Sequence, residues 1–273
     1  MNILHAIILG IVQGVSEFLP ISSTGHLILA EWFLKMGQGE FLKSFDIIIQ
    51  LGSILAVVVL YWRELFVKWE IIKRLAIAFL PTGILGLLFY KMVKQYLLGN
   101  EAVVLWSLLL GGLALILFEF WHKDKSPLTP PRIKCGAGSK GGEQEREIES
   151  ISYKNAFIVG LFQSIAMIPG VSRSAATIIG GLSLGLKRKT IVEFSFILAV
   201  PTMIAATGLD LFKNWQSFSA NQWDFLAVGF LAAFLVALAS IKFLLSFIKR
   251  YNFVPFGVYR IGLAIVFWWM MFA

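Results

Sequence analysis

The sequence predicts an all-α polytopic membrane protein: an inverted-topology repeat in which each half holds one re-entrant helix-loop-helix hairpin and three transmembrane helices. Three observations predict it. Hydrophobic residues fill 58% of the 273 positions, charged residues only 15%, and mean hydropathy is +0.79. A soluble domain carries about 25% charged residues, so most of this surface cannot face water. Two long apolar stretches are each broken near the middle by proline and glycine. The basic residues, finally, fall mainly into loops that a single topology gathers on one face.

The first element, residues 1–34, is the first expected hairpin. Residues 1–30 contain one formal charge, Glu17, and are broken between Leu19-Pro20 and Gly25. A straight helix of that length would measure about 45 Å against a hydrocarbon core of about 30 Å. Proline removes a rung of the helical hydrogen-bond ladder and pushes the preceding residue toward extended geometry. Spans are then expected at 45–62, 75–93 and 101–120, completing a first repeat over 1–120. Residues 121–154, with Pro127, Pro130, Pro131 and mixed charges, read as a cytoplasmic linker.

The second repeat, 155–273, opens with the second hairpin, 155–186. Its one formal charge is Arg173 and its break is Pro169-Gly170. Spans at 190–210, 224–246 and 253–272 follow. Irregular backbone at membrane depth survives only where protein or a water-filled cavity satisfies it, so both breaks should lie inside and near each other. With both hairpins returning to their own side, seventeen Lys and Arg share one face and five the other. The positive-inside rule makes the first face cytoplasmic and puts both termini outside. Faint self-similarity supports two halves: Gly10-Ile-Val-Gln13 pairs with Gly160-Leu-Phe-Gln163, and at the same offset Ser22 meets Ser172 and Ser23 meets Arg173. Inverted repeats with broken helices usually bind their ligand at the repeat interface.

Several classes are set aside by composition. The +8 net charge does not imply nucleic acid, because the basic residues flank apolar runs. Cys135 is the only cysteine, which excludes an internal disulfide and a cysteine-based zinc site. No Lys or Arg precedes Lys35, so a cleaved secretory signal is not expected.

The chemistry-bearing residues sit in the two breaks. Glu17 in an apolar segment costs about 2.5 kcal/mol or more on insertion scales; it is either paired structurally with Arg173 or acts as metal ligand or general base. Gln13 and Glu17 are four apart, hence on one helix face. His26 follows Ser23 by three positions and is either a buried hydrogen-bond donor or a proton-transfer group or nucleophile. Arg173, with Ser172, Ser174 and Thr177 at the start of a helix, reads as a phosphate cradle, the bland alternative being an interhelical salt bridge. Arg260 has no such surroundings in the sequence and is expected to be structural or interfacial.

Three segments carry a family resemblance: Gln13-Gly-Val-Ser-Glu17-Phe-Leu-Pro-Ile-Ser22-Ser23-Thr24-Gly25-His26, Pro169-Gly170-Val-Ser172-Arg173-Ser174-Ala-Ala-Thr177, and Glu193-Phe-Ser-Phe-Ile-Leu-Ala-Val-Pro201. The chain resembles the bacterial undecaprenyl-diphosphate phosphatases of the bacitracin-resistance type over nearly its whole length. The resemblance implies removal of one phosphate from undecaprenyl diphosphate, giving the lipid carrier used for peptidoglycan and cell wall synthesis. It also implies a divalent cation (Mg2+ or Ca2+), a bacterial plasma (inner) membrane location, and a site open to the external face. By motif position Glu17, Ser23, His26 and Arg173 are the expected catalytic residues. Ser172, Ser174, Thr177, Ser22 and Thr24 are expected to hold phosphate, and Glu17 with Gln13 the metal. Many members carry Glu where Gln13 stands, and Gly is common where Ala175 stands. The expected partners are the polyprenyl diphosphate and membrane lipids, with a homodimer as one assembly. The competing class is a polyprenyl-phosphate transporter or flippase, which needs the anion cradle but no nucleophile.

Overall fold

The computed structural model describes residues 1–37, 39–97, 100–122, 147–214 and 223–272, and every regular element among them is helical. The expected linker, 121–154, therefore lies mostly outside the described residues. The first half comprises α1 (Ile3–Ser16), α2 (Ser23–Phe33), α3 (Glu40–Leu60), the short α4 (Trp62–Phe66), α5 (Trp69–Met92) and α6 (Glu101–Trp121). The second comprises α7 (Tyr153–Ser164), α8 (Arg173–Ser183), α9 (Arg188–Asn214), α10 (Trp223–Phe247) and α11 (Val254–Phe272). Each half thus opens with two short helices around a break, as the proline and glycine positions require.

Five helices are long and apolar enough to cross a membrane: Phe41–Leu60, Trp69–Met92, Glu101–Trp121, Arg188–Gly208 and Trp223–Phe247. The chain is a multi-pass membrane protein. The sixth expected span, 253–272, is helical as α11, but its apolar stretch Val254–Met270 falls among the shorter helices. The expected 45–62 and 75–93 begin earlier than composition alone suggests, at Glu40 and Trp69. Asn100 and Ser152 mark the starts of α6 and α7, their side chains accepting from the backbone N–H of Val103 and Asn155.

In each pair of short helices the second packs against the first, α2 on α1 and α8 on α7. Near the start of α1, Ala6 joins one apolar cluster with Leu27 on α2, Leu34 and Met36 just beyond it, Leu42 on α3 and Leu226 on α10. The basic loops gather at the opposite end. There Arg188 pairs with Glu119, Lys187 with Glu147, Arg74 donates to the Ile151 carbonyl, and Tyr153 donates to Glu70. The beginning of α5, the end of α6, the beginning of α7 and the loop between α8 and α9 are thus neighbours.

The two halves interdigitate. α1 and α3 pack on α10 of the other half, α7 packs on α5, and α6 packs on α11. Gly10 sits where α1 crosses α10: a Cβ there would stand 2.5 Å from the Gly229 carbonyl oxygen. Gly160 does the same for α7 on α5, where a Cβ would overlap the Ala78 carbonyl. At the centre lies α9, buried at every residue from Thr190 to Val200.

The breaks themselves meet in the interior, held by Arg260 of α11. Its side chain is fully buried. Nη1 donates to the carbonyls of Pro20 (3.4 Å) and Val171 (3.1 Å), and Nη2 to those of Gly170 (2.9 Å) and Ser107 (2.8 Å). Nε donates to Leu108 O at 3.3 Å. The five N–H donors of a guanidinium thus meet five backbone acceptors on both breaks and α6. Arg260 is structural, then, and not interfacial.

Two stability outcomes follow. Arg260→Met leaves five buried carbonyls unpaired and should lower unfolding stability in detergent by at least about 3 kcal/mol, with Arg260→Lys recovering only part. Thermal or SDS unfolding checks this. Gly10→Val and Gly160→Val should each cost roughly 1–3 kcal/mol or more in the same measurement, because backbone lies where the new methyls must go.

Candidate active site

The first break begins where α1 ends. Glu17 caps the helix, its N–H donating to Gln13 O, and its side chain is 4% exposed. Pro20 and the tight backbone bond from Ile21 N–H to Leu19 O turn the chain. Ser22 then takes φ 73°, a value few non-glycine residues adopt, and accepts from the Gly25 N–H to cap α2. The second break repeats this turn. Ser172 takes φ 69° and caps α8 by accepting from the Ala175 N–H. Two helix N-termini, at Ser23 and Arg173, are therefore aimed into one interior region, each with its positive dipole end and free N–H groups.

Glu17 is the hub. Gln13 Nε2 donates to its Oε2 at 2.9 Å and Ser23 Oγ donates to the same oxygen at 2.8 Å. Arg173 Nη2 approaches Oε1 at 3.4 Å, a side-chain ion pair largely shielded from solvent. Glu17, Ser23 and Arg173 thus form one connected group across the two breaks. Both expected roles of Glu17, ion pairing and reactive carboxylate, are geometrically compatible.

Arg173 is also fixed through the elements around it. Nη1 donates to Ser195 O on α9 at 2.8 Å, and Thr177 shares a hydrogen bond with the Ser195 hydroxyl. Arg173 Nε is buried without a partner. The contrast with Arg260 is direct: one guanidinium has all its donors engaged by carbonyls, the other keeps a buried donor free. Ser174, fully buried, donates to Leu19 O at 2.9 Å and lies 3.1 Å from Ser172 Oγ. That bond ties the second break to the first, so Ser174 carries a structural load as well as lying in the expected phosphate cradle. Thr24 occupies the first turn of α2, half-buried.

His26 lies on α2, and both of its ring nitrogens bond groups outside the hub. Nδ1 is 2.7 Å from Ser22 O, and Nε2 is 2.8 Å from the hydroxyl of Tyr259, whose ring stacks on the imidazole with centroids 5.5 Å apart. The hydroxyl of Ser23 meets Glu17, not His26.

A divalent ion needs oxygen ligands. Among the described residues there is no group of three or more His, Cys, Asp or Glu that could hold one. Glu17 is the carboxylate at the hub, and Gln13 Oε1 is a buried oxygen without a hydrogen-bond partner. That donor pair suits Mg2+ or Ca2+ only if other oxygens complete the shell.

Sequence reasoning did not find Ser195, Tyr259 or the bonding of Arg260. Ser195 lies in the Glu193–Pro201 segment already singled out by resemblance. An arginine in the middle of an apolar span was the available signal for the Tyr259-Arg260 pair.

The family profile described as "Bacitracin resistance protein BacA" matches residues 6–266. Proteins named "Undecaprenyl-diphosphatase" are close relatives. The one from Sulfurihydrogenibium sp. is 51% identical over 268 residues, covering 98% of this chain and 99% of that protein. The one from Wolinella succinogenes is 51% identical over 267 residues, covering 98% and 97%, and that from Aquifex aeolicus 49% over 263 residues, covering 96% of each. With a match across almost its entire length and a site assembled from the two most distinctive segments, the chain belongs to the BacA bacitracin-resistance family.

Proposed function

We propose that the chain is an integral membrane phosphatase that hydrolyses undecaprenyl diphosphate to undecaprenyl phosphate and inorganic phosphate, so recycling a lipid carrier for peptidoglycan synthesis. The observation that carries the reading is the Ser23–Glu17–Arg173 group. A hydroxyl donates to a buried carboxylate at 2.8 Å, and the same carboxylate neighbours a guanidinium with a free donor. The relatives named for this activity, about half identical over nearly the full chain, support the substrate.

The geometry favours Ser23 as nucleophile and Glu17 as its base. Arg173 and the α8 N-terminus bind the diphosphate and stabilise the charge that develops on it. Ser23 Oγ bonds the terminal phosphorus while its proton passes to Glu17 Oε2. The bond from that phosphorus to the bridging oxygen breaks, and undecaprenyl phosphate leaves. A water then attacks the phosphoserine: its oxygen bonds phosphorus, the bond to Oγ breaks, and Glu17 returns a proton to Oγ. His26 takes the proton that the water releases. A divalent ion, when bound, offsets diphosphate charge. Glu17 and Gln13 Oε1 would hold it, with substrate oxygens completing its coordination. A carrier has no use for the Ser23–Glu17 pair, so transport is the less favoured reading.

The orientation proposed is both termini external, with the site reached from the external face of the bacterial plasma membrane. The seventeen-to-five division of basic residues supports it. Matching features at an offset of 150 residues support the inverted repeat: Gly10 and Gly160 at helix crossings, Ser22 and Ser172 at positive-φ caps.

Purified protein in detergent should release phosphate from a long-chain prenyl diphosphate, and chelation of divalent ions should stop it. Arg173→Ala should lower kcat/KM by at least about a thousandfold, in line with loss of a charge that stabilises phosphoryl transfer. Binding of the lipid without phosphate release would favour the carrier. Rapid quenching with 32P-labelled substrate should trap acid-stable phosphoserine, lost in Ser23→Ala; an acid-labile adduct would point to His26 as nucleophile instead.

A further inference from the structure

The site holds a residue whose placement the phosphatase reading leaves unused. Tyr259 precedes the arginine that clamps the breaks, so the backbone of α11 fixes it at the edge of the site. Its hydroxyl lies 2.8 Å from His26 Nε2, and the two rings stack with an interplanar angle of 11°. Tyr259 therefore makes two contacts with the imidazole, one polar and one of ring on ring.

The proton inventory follows from the partners. Ser22 O, a carbonyl, can only accept, so the 2.7 Å contact puts a proton on Nδ1. In the neutral ring Nε2 then bears the lone pair, and Tyr259 is the donor to it. The lone pair points toward α11, while Ser23 donates to Glu17. His26 is thus held ready to accept a proton, but not one from Ser23.

We propose that Tyr259 is a positioning residue for His26, holding the ring as its Nδ1–H tautomer with the Nε2 lone pair directed at the phenol and not engaged by Ser23, so that it is available for the proton that a water releases. The phenol oxygen stands at hydrogen-bond distance from Nε2, as that water's oxygen must, and keeps the lone pair directed there until the exchange. The kinetic consequence rests on the phosphatase reading; the tautomer does not.

The test uses the full-length chain in lipid nanodiscs with 15N,13C-labelled histidine, at about pH 8, where an ordinary imidazole is neutral. The chain has three histidines, and His26→Asn identifies the resonances of the third site beside His5 and His122. The expected spectrum shows His26 protonated on Nδ1, with the Nε2 resonance moving toward that of an unbonded ring nitrogen in Tyr259→Phe. Kinetically, Tyr259→Phe should lower kcat about tenfold, the size of one hydrogen bond, with KM within about twofold. Tyr259→Leu, which also loses the stacked ring, should fall further. A proton found on Nε2, an Nε2 resonance unmoved in Tyr259→Phe, or an unchanged or raised kcat in that variant would each overturn the proposal. If the unsubstituted protein released no phosphate, the phosphatase reading would fail while the spectrum still decided the role of Tyr259.

Discussion

The architecture depends on one requirement: backbone carbonyls freed by breaking a helix inside a membrane must find donors. Water normally meets this need at a protein surface, but hydrocarbon cannot. Two breaks at one depth double the problem. Arg260 answers it with one side chain, donating to Pro20 of the first break, to Gly170 and Val171 of the second, and to Ser107 and Leu108 of α6. Without such a clamp the hairpins could still form, but most of those carbonyls would go unpaired. The bond from Ser174 to Leu19 O adds a second, shorter tie between the same tips.

That arrangement separates stability from chemistry. An arginine with every donor engaged by carbonyls has nothing left for a ligand. Arg173 differs: one donor is on Ser195 O, one approaches Glu17 at 3.4 Å, and Nε is buried alone. A buried unpaired donor is costly, and a polyanion is the ligand that would satisfy it. The pairing with Glu17 balances the two buried charges and, at 3.4 Å, is loose enough for a phosphate oxygen to compete with it. Hydrogen bonding is therefore complete at the Arg260 clamp and incomplete at Arg173.

The two halves share a backbone device but not a chemistry. Ser22 and Ser172 adopt nearly the same positive-φ turn, and Gly10 and Gly160 admit the same kind of close helix crossing. At the positions of Ser23, Glu17 and His26 the sequence diverges: Ser23 corresponds to Arg173, Glu17 to Met167 and His26 to Ala176. One hairpin thus brings hydroxyl, carboxylate and imidazole, and the other brings the guanidinium. Neither forms the site alone, so the clamp that joins the tips also assembles the group.

The sequence by itself determined the class and the punctuation. Apolar length, the scarcity of charge and the Pro/Gly breaks act locally, and they placed both breaks and the main helices to within a few residues, apart from helix starts such as Trp69 that carry polar or charged residues. The Gln13–Glu17 pairing was equally legible, because residues four apart share a helix face. The tertiary structure alone decided which donors face which acceptors. Arg260 reaches Pro20 across 240 residues of chain and Tyr259 reaches His26 across 233. An apolar helix with one arginine has no local feature that selects its partners. Selection comes from how α11 packs on α6 and brings those groups beside the breaks, and that is a property of the assembled fold, not of any segment.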